Sequence, residues 1–252
     1  MYVKRLQKGL SMKQPNNKLN VTRITKTSVL NEDADFKSLI KTYREVFGSD
    51  ERDGQGNVIW GEGFRCERCG KTYPLNLVLF KVCECGGPLT ECYATDNLKS
   101  RLIDEIDINS SNEGFCFSLK NNGVTIGFLW GALTGKPEVV DQICNNGLKT
   151  QRHREDVAKL FDDDERILYL AELGILRSSR VGLRPLVLMF TELFLLFQDK
   201  TIDSVVAWTS KSSQVYRITR ALGFKLVAEI EGLCIIKDTK IRWKSMLKLK
   251  RS

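Results

Sequence analysis

Four of the chain's eight cysteines fall within twenty residues, as Cys66-x2-Cys69, thirteen intervening residues, and then Cys83-x-Cys85. Two close thiolate pairs brought together by a hairpin supply the four soft ligands that zinc takes in a tetrahedron. Gly70 follows the first pair and Gly86-Gly87 the second, and glycines there let main-chain amides turn towards the sulfurs and offset their charge. Four sulfurs close the coordination sphere, so the expected Zn2+ is structural and not a Lewis acid for catalysis. A segment of about thirty residues cannot fill a core alone, and metal binding would supply its folding free energy. The second pair is one residue tighter than Cys-x2-Cys, which leaves Cys92 as a substitute ligand. A redox pair, or four unliganded thiols, is the other use of such a cluster. The remaining Cys116, Cys144 and Cys234 are expected to be buried as small hydrophobes.

A second chemical feature lies in residues 169–192, YLAELGILRSSRVGLRPLVLMFTE. A nearly continuous apolar run, the pattern of a central strand, leads through a Ser/Arg/Gly loop into a helix that starts near Pro185. The amino end of a helix presents unpaired N–H groups and the positive end of its dipole, a seat for a diphosphate. Arg177, Arg180 and Arg184 add formal charge at that mouth. Glu172 is an acid inside an apolar strand, a costly position unless the carboxylate is used or paired. It is therefore either a general base or the partner of an arginine. Glu62 is a lesser candidate for substrate contact. The only histidine, His153, stands in a mixed-charge QRHRED segment and reads as a surface residue. Neither Cys116 nor Cys234 has an evident base, so a nucleophilic thiol is not expected.

On these residues the chain resembles the GNAT N-acetyltransferase superfamily, whose acetyl-CoA motif is a strand, Arg-Gly-x-Gly-x-Gly/Ala, and a helix. Arg180 falls on the family's arginine; Val181, Leu183 and Pro185 stand where it has glycines, and Gly182 is one place off. Residues 213–224, SQVYRITRALGF, are similar to its second cofactor motif, a helix ending in Leu-Gly-Phe. The resemblance implies acetyl-CoA as co-substrate, bound by Leu173, Gly174, Ile175, Arg180, Val181, Gly182, Leu183 and Arg184. It implies a main-chain amide near Leu173–Ile175 on the thioester carbonyl and Glu172 as base for an amine acceptor. Thr219 stands where many relatives place a tyrosine that protonates the leaving thiolate, with Tyr216 one turn earlier. Arg217 and Arg220 either reach the phosphates or are solvated. The cysteine knuckles, CERCG and CECGGPL, resemble a zinc ribbon.

The elements that must position these groups follow from periodicity and turn signals. A strand is expected over 20–28, a helix over 36–47 with one apolar face, the cysteine segment over 61–92, and a helix over 97–108. Strands over 114–120 and 124–134 are joined by Asn121-Asn122-Gly123, a hairpin signal. An irregular, polar insert over 135–165 holds one short helix near 155–161. There follow the strand 166–176, a helix over 185–198 that is apolar nearly all round and so expected to be buried, a strand at 203–208, a helix over 212–222 and a closing hairpin. The class is α/β, a mixed central sheet with flanking helices of the acyl-CoA N-acyltransferase kind, plus a small ribbon. The expected division is 1–56 and 94–252 for the larger domain and 57–93 for the insert.

Of the 252 residues 42% are hydrophobic and 28% charged, a globular composition and not that of a disordered or collagen-like chain. The longest apolar stretch, 186–197, is too short to cross a bilayer. No hydrophobic leader follows Met1, so a cytoplasmic protein without membrane contact is expected. The net charge of +8 is concentrated at the ends: residues 1–31 carry seven Lys/Arg and no acid, and 237–252 carry seven against Asp238. Basic ends can grip RNA or DNA by counterion release. Two functions therefore compete, an N-acyltransferase acting on a primary amine (small molecule, protein or aminoacyl-tRNA) and a non-catalytic zinc-ribbon nucleic-acid binder on a degenerate scaffold. The sequence leaves oligomeric state open.

Overall fold

The computed structural model describes residues 18–49, 51–52, 58–75, 82–106, 113–145, 148, 150–180, 182–221 and 223–239. Strand β1 (Leu19–Arg23) is shorter than expected, because Thr25 caps a helix, α1 (Lys26–Leu30), by accepting the Ser28 N–H at 3.2 Å. Asp33 caps α2 (Ala34–Gly48), accepting from the Phe36 amide at 2.9 Å. The face expected from its spacing, Phe36, Leu39, Ile40, Tyr43, Val46 and Phe47, is buried. Five short strands follow: β2 (Glu51–Arg52), β3 (Val58–Trp60), β4 (Phe64–Cys66), β5 (Thr72–Tyr73) and β6 (Leu89–Glu91). Then come α3 (Thr95–Ile106), β7 (Glu113–Asn121) and β8 (Val124–Thr134). The turn between these two strands holds Asn122 and Gly123 at φ +49° and +84°, as the hairpin signal requires.

The stretch 135–165 is not irregular. It forms α4 (Lys136–Asn145) and α5 (Gln151–Ala158), which pack on the core through Val139, Val140, Ile143 and Val157. Few apolar residues are present, but their helical spacing puts them on one side. The chain continues with β9 (Ile167–Ile175), α6 (Arg184–Leu196), β10 (Ser204–Ser210), α7 (Gln214–Ala221), β11 (Lys225–Ile230) and β12 (Leu233–Asp238). Burial of α6 all round is also corrected. It lies on the outside of the sheet, so Pro185, Leu186, Met189 and Leu193 are buried while Val187 and Leu195 are 42% and 44% exposed.

The expected mixed α/β class holds. Seven strands form one sheet in the order β1-β7-β8-β9-β10-β12-β11, antiparallel except for the β9–β10 pair. Helices α1 to α5 cover one face with Phe36, Tyr43, Trp130 and Tyr169 in its core. Helices α6 and α7 cover the other over Leu129, Leu168, Met189 and Phe197. Between α2 and α3 the chain leaves the sheet for a separate three-stranded sheet, β5-β4-β6. No helix among the described residues is long and apolar enough to cross a membrane.

The central sheet departs from regular pairing between β7 and β8 at Leu119–Lys120, between β11 and β12 at Leu226–Ala228, and at two places on β9. Between β8 and β9, Trp130 pairs with Glu172 but Gly131 pairs with Leu170, so Ala171 is an extra, bulged residue. Side chains alternate along a strand, and the extra residue turns Glu172 onto the same face as Tyr169 and Ala171, towards α2 and α3. A Cβ at Gly131 would lie 2.0 Å from the Tyr169 carbonyl oxygen, so only glycine lets β8 close on the bulge. Gly131→Ala is expected to destabilise by about 1–3 kcal/mol or more, read as a lower denaturant midpoint; an unchanged midpoint would show that the bulge yields. The second departure on β9 lies between β9 and β10. Their parallel pairing ends at Leu170 with Ala207, while β10 stays with β12 through Ser210. The sheet therefore splits at the carboxyl end of β9.

Candidate active site and metal centre

A cleft of about 170 Å³ occupies the split, walled by residues 170–175 of β9, Trp208 and Thr209 of β10, Gly182, Leu186 and Phe190 at α6, and Val46 and Phe47 of α2. The Leu176 amide donates to the Ile126 carbonyl at 2.8 Å, which places that residue in a hydrogen-bonded pair with β8. Antiparallel partners alternate between bonded and unbonded pairs, so the N–H and C=O groups of Leu173 and Ile175 turn away from β8, into the cleft. One of these groups is engaged: the Ile175 carbonyl accepts Arg180 Nε at 2.8 Å. Arg180 is thereby fixed at the cleft mouth with its charge beside the start of α6.

At that start Gly182 has φ +69° with open space where a side chain would stand. Leu183 precedes the helix without a side-chain cap and accepts the Val187 amide at 2.9 Å. The first-turn amides have no partner within the helix, which gives this mouth the polarity of an anion seat. Leu183 is exposed and Pro185 buried, and neither walls the cleft, so these two of the residues standing where glycines were expected do not plug it. Arg184 is exposed at the same turn. Val181 lies outside the described residues. Leu173, Gly174, Ile175, Arg180 and Gly182 all come together on the wall.

Glu172 also reaches the cleft, and it is held. Its Oε1 accepts Arg101 NH2 at 2.7 Å and the Tyr43 hydroxyl at 3.4 Å, and its side chain is only 12% exposed. Burial pushes its carboxyl above the ordinary range, with Arg101 opposing. A raised carboxylate in contact with a cleft is a group able to accept a proton. Thr219 lies on the wall too, but its hydroxyl is turned to its own helix, 2.7 Å from the Val215 carbonyl and 3.1 Å from that of Tyr216. Tyr216 is half-buried against the α7 side of the core and does not line the cleft. Opposite β9, Thr209 and Ser213 hydroxyls meet at 2.5 Å, and Trp208 donates its indole N–H to the Tyr169 hydroxyl at 2.9 Å. None of Arg101, Tyr43, Thr209 or Ser213 was marked in the sequence. Tyr43 reads as a core residue, and Arg101 sits on the polar flank of an ordinary amphipathic helix.

No family model matches the chain, and no curated protein matches it. Among solved structures the chain is similar to the PaiA N-acetyltransferase of Thermoplasma acidophilum in complex with coenzyme A, at 8% identity over 88% of this chain and 99% of that one, with TM-score 0.44. It is similar to the spermidine/spermine N-acetyltransferase SpeG of Vibrio cholerae at 9% identity, over 91% and 98% of the two chains, TM-score 0.44. It is also similar to an aminoglycoside acetyltransferase in complex with coenzyme A at 11% identity, over 91% and 99%, TM-score 0.47.

The cysteine cluster stands apart from the cleft. The sulfurs of Cys66, Cys69, Cys83 and Cys85 all lie within 4.8 Å of one another, with Cys66–Cys85 at 3.5 Å and Cys69–Cys83 at 3.6 Å. Four thiolates about 2.3 Å from one zinc ion would be about 3.8 Å apart, close to the two shortest separations here, so the cluster suits such an ion. Cys92 is not in the group, which takes in both Cys83 and Cys85. A Cβ at Gly87 would come 2.8 Å from the Cys66 sulfur and 3.4 Å from that of Cys85, so the knuckle wraps the sulfurs as closely as glycine permits. The Tyr73 hydroxyl, 3.1 Å from the Cys83 sulfur, is the first cause that pulls this thiol down to about 6, with the Cys85 amide second. Tyr73 is thus placed to donate to the Cys83 sulfur when that is a thiolate.

Among the described residues the small sheet around the cluster buries the hydrophobic side chains of Cys66, Cys83 and Leu89, against Phe64 and Tyr73. It is seated on the carboxyl end of α2. The Glu62 amide donates to the Phe47 carbonyl at 3.2 Å, and Arg44 donates to the Tyr93 carbonyl at 2.8 Å and pairs with Glu91 at 2.9 Å. Leu75 fills the space that side chains at Gly48 and Gly63 would need.

Proposed function

We propose that the chain is an acyl-CoA-dependent N-acyltransferase of the GNAT kind, with acetyl-CoA as donor and a primary amine as acceptor. The observation that carries this is the split between β9 and β10: it aims the Leu173 and Ile175 main-chain groups into a cleft that runs to the amino end of α6. In this reading the diphosphate of coenzyme A lies against the first amides of α6 with Gly182, Arg180 and Arg184, and the thioester supplies the activated acyl group. The Leu173 N–H is aimed to polarise an acyl carbonyl oxygen, a dipole fixed before the reaction begins. Glu172 takes the proton that the acceptor amine must lose, directly or through water. Arg101 and Tyr43 hold Glu172 in place, and Val46, Phe47, Phe190 and Trp208 give the cleft apolar walls that limit water.

We divide the chain accordingly, with 1–56 and 94–252 as the transferase part and 57–93 as a Zn2+ module whose metal is held by Cys66, Cys69, Cys83 and Cys85. The acceptor class is left broad, as a small amine, a protein or an aminoacyl-tRNA. Most of the two basic ends, 1–17 and 240–252, lies outside the described residues, and nucleic-acid contact through them is not part of this reading.

Acetyl-CoA should raise the melting temperature in a saturable way. At one hundred times Kd the native state gains about 2.7 kcal/mol, which corresponds to roughly 5–10 °C for a domain of this size. No shift at millimolar acetyl-CoA would end the proposal.

A further inference from the structure

We propose that Glu105 is a positioning residue for the candidate base, a second carboxylate that competes with Glu172 for the single guanidinium of Arg101. It rests on the reading of Glu172 as base for its catalytic meaning, though not for its physical content.

Arg101 and Glu105 are one helical turn apart on α3, on the same side of the helix. Arg101 reaches forward to Glu172 at 2.7 Å and to the Tyr43 hydroxyl at 3.4 Å. Glu105 is 1% exposed, and neither of its carboxylate oxygens has a hydrogen-bond partner among the described residues. A buried, unpartnered carboxylate beside an already occupied arginine is a costly arrangement, and a helix facing solvent would not place one there. The helix end is also fixed: a side chain at Gly114 of β7 would fall 2.0 Å from the Glu105 carbonyl oxygen, so α3 sits directly on that strand.

Among the described residues the groups that face Glu105 are few. From its own helix they are Arg101 and Asp104, and from β9 Glu172. Cys116 on β7 and Tyr169 on β9 feel its charge. Glu32, just beyond α1, is taken by Lys99 nearer the start of the helix, at 2.6 Å. Arg101 is thus the nearby cation for both carboxylates.

The consequence is directional. Burial pushes Glu105 up to about 7, with Arg101 opposing. Below that pH Glu105 is neutral, and the guanidinium serves Glu172 alone. Above it, Glu105 is an anion that draws on Arg101 and adds a like charge near Glu172, so Glu172 holds a proton more tightly. The candidate base becomes stronger in the pH range where amine acceptors begin to lose their own protons.

The test is a titration of the Glu172 carboxyl carbon by NMR on protein labelled with 13C-glutamate, the signal assigned by its loss in Glu172→Gln. In the full-length protein the curve should show two inflections, one coinciding with the titration of Glu105. In Glu105→Gln, and equally in Glu105→Met, the Glu172 midpoint should fall by on the order of one pH unit. The acidic limb of the kcat/KM profile should move with it, at unchanged KM for acetyl-CoA. A single-step curve in the parent protein, or a midpoint that stays or rises in either folded variant, overturns the proposal. The carbon signal is read without cofactor or acceptor, so this outcome stands apart from whether acetyl transfer occurs.

Discussion

Glu172→Gln is expected to lower turnover by about 10²-fold or more while the stabilisation by acetyl-CoA stays within about twofold in apparent affinity. The separation of the two effects is the informative part. The donor's proposed seat is built from main-chain groups of β9 and the first turn of α6 with Arg180, none of which the substitution touches. Glutamine keeps the shape of the side chain and can still accept from Arg101 and Tyr43, so the bulge at Ala171 should survive. What is lost is the capacity to take a proton. An unchanged rate would remove Glu172 as base and leave it as an arginine's partner, the other role its place in an apolar strand allowed. A loss of donor affinity equal to the loss in rate would point instead to a disturbed cleft.

Metal removal is expected to have the largest effect on stability. Elemental analysis should find about one zinc per chain, and Cys69→Ser or a strong chelator should abolish it. Structural zinc contributes on the order of 10–16 kcal/mol to small modules, and among the described residues the buried hydrophobic cluster of the β5-β4-β6 sheet is Leu89 with two of the proposed ligands, Cys66 and Cys83. Melting should therefore become two-step or begin well below the parent temperature, and limited proteolysis should cut first within 64–91. Protein that is free of metal yet melts as the parent does would sink the assignment.

Much of this was legible from residue order because the signals were local. The cysteine spacing, the Asp33 cap, the apolar face of α2 and the Asn-Gly turn each specify their own geometry within a few positions. Glu172 stood out for a similarly local reason, as a charge in a strand of leucines. The partners of Glu172 were not legible, since Arg101 and Tyr43 lie 71 and 129 residues away along the chain. Nor was the bulge at Ala171, which exists only because Gly131 sits opposite it on another strand. Helix α4 was missed because the sparse apolar residues of 135–145 look like a loop until their angular spacing is considered. The burial expected for α6 failed for the converse reason. Apolar composition on every side of a helix does not supply a second layer to cover it.

Helix α2 bears two loads. Its last turn is the seat of the cysteine-bound sheet, through Arg44, the Phe47 carbonyl and the contact of Gly48 with Leu75. From the same turn the side chains of Val46 and Phe47 form one wall of the cleft, and Tyr43 touches Glu172. On the proposed reading a single turn of helix is shared by the zinc module and the transferase cleft, so loss of the metal would be transmitted to the cleft wall through Val46 and Phe47.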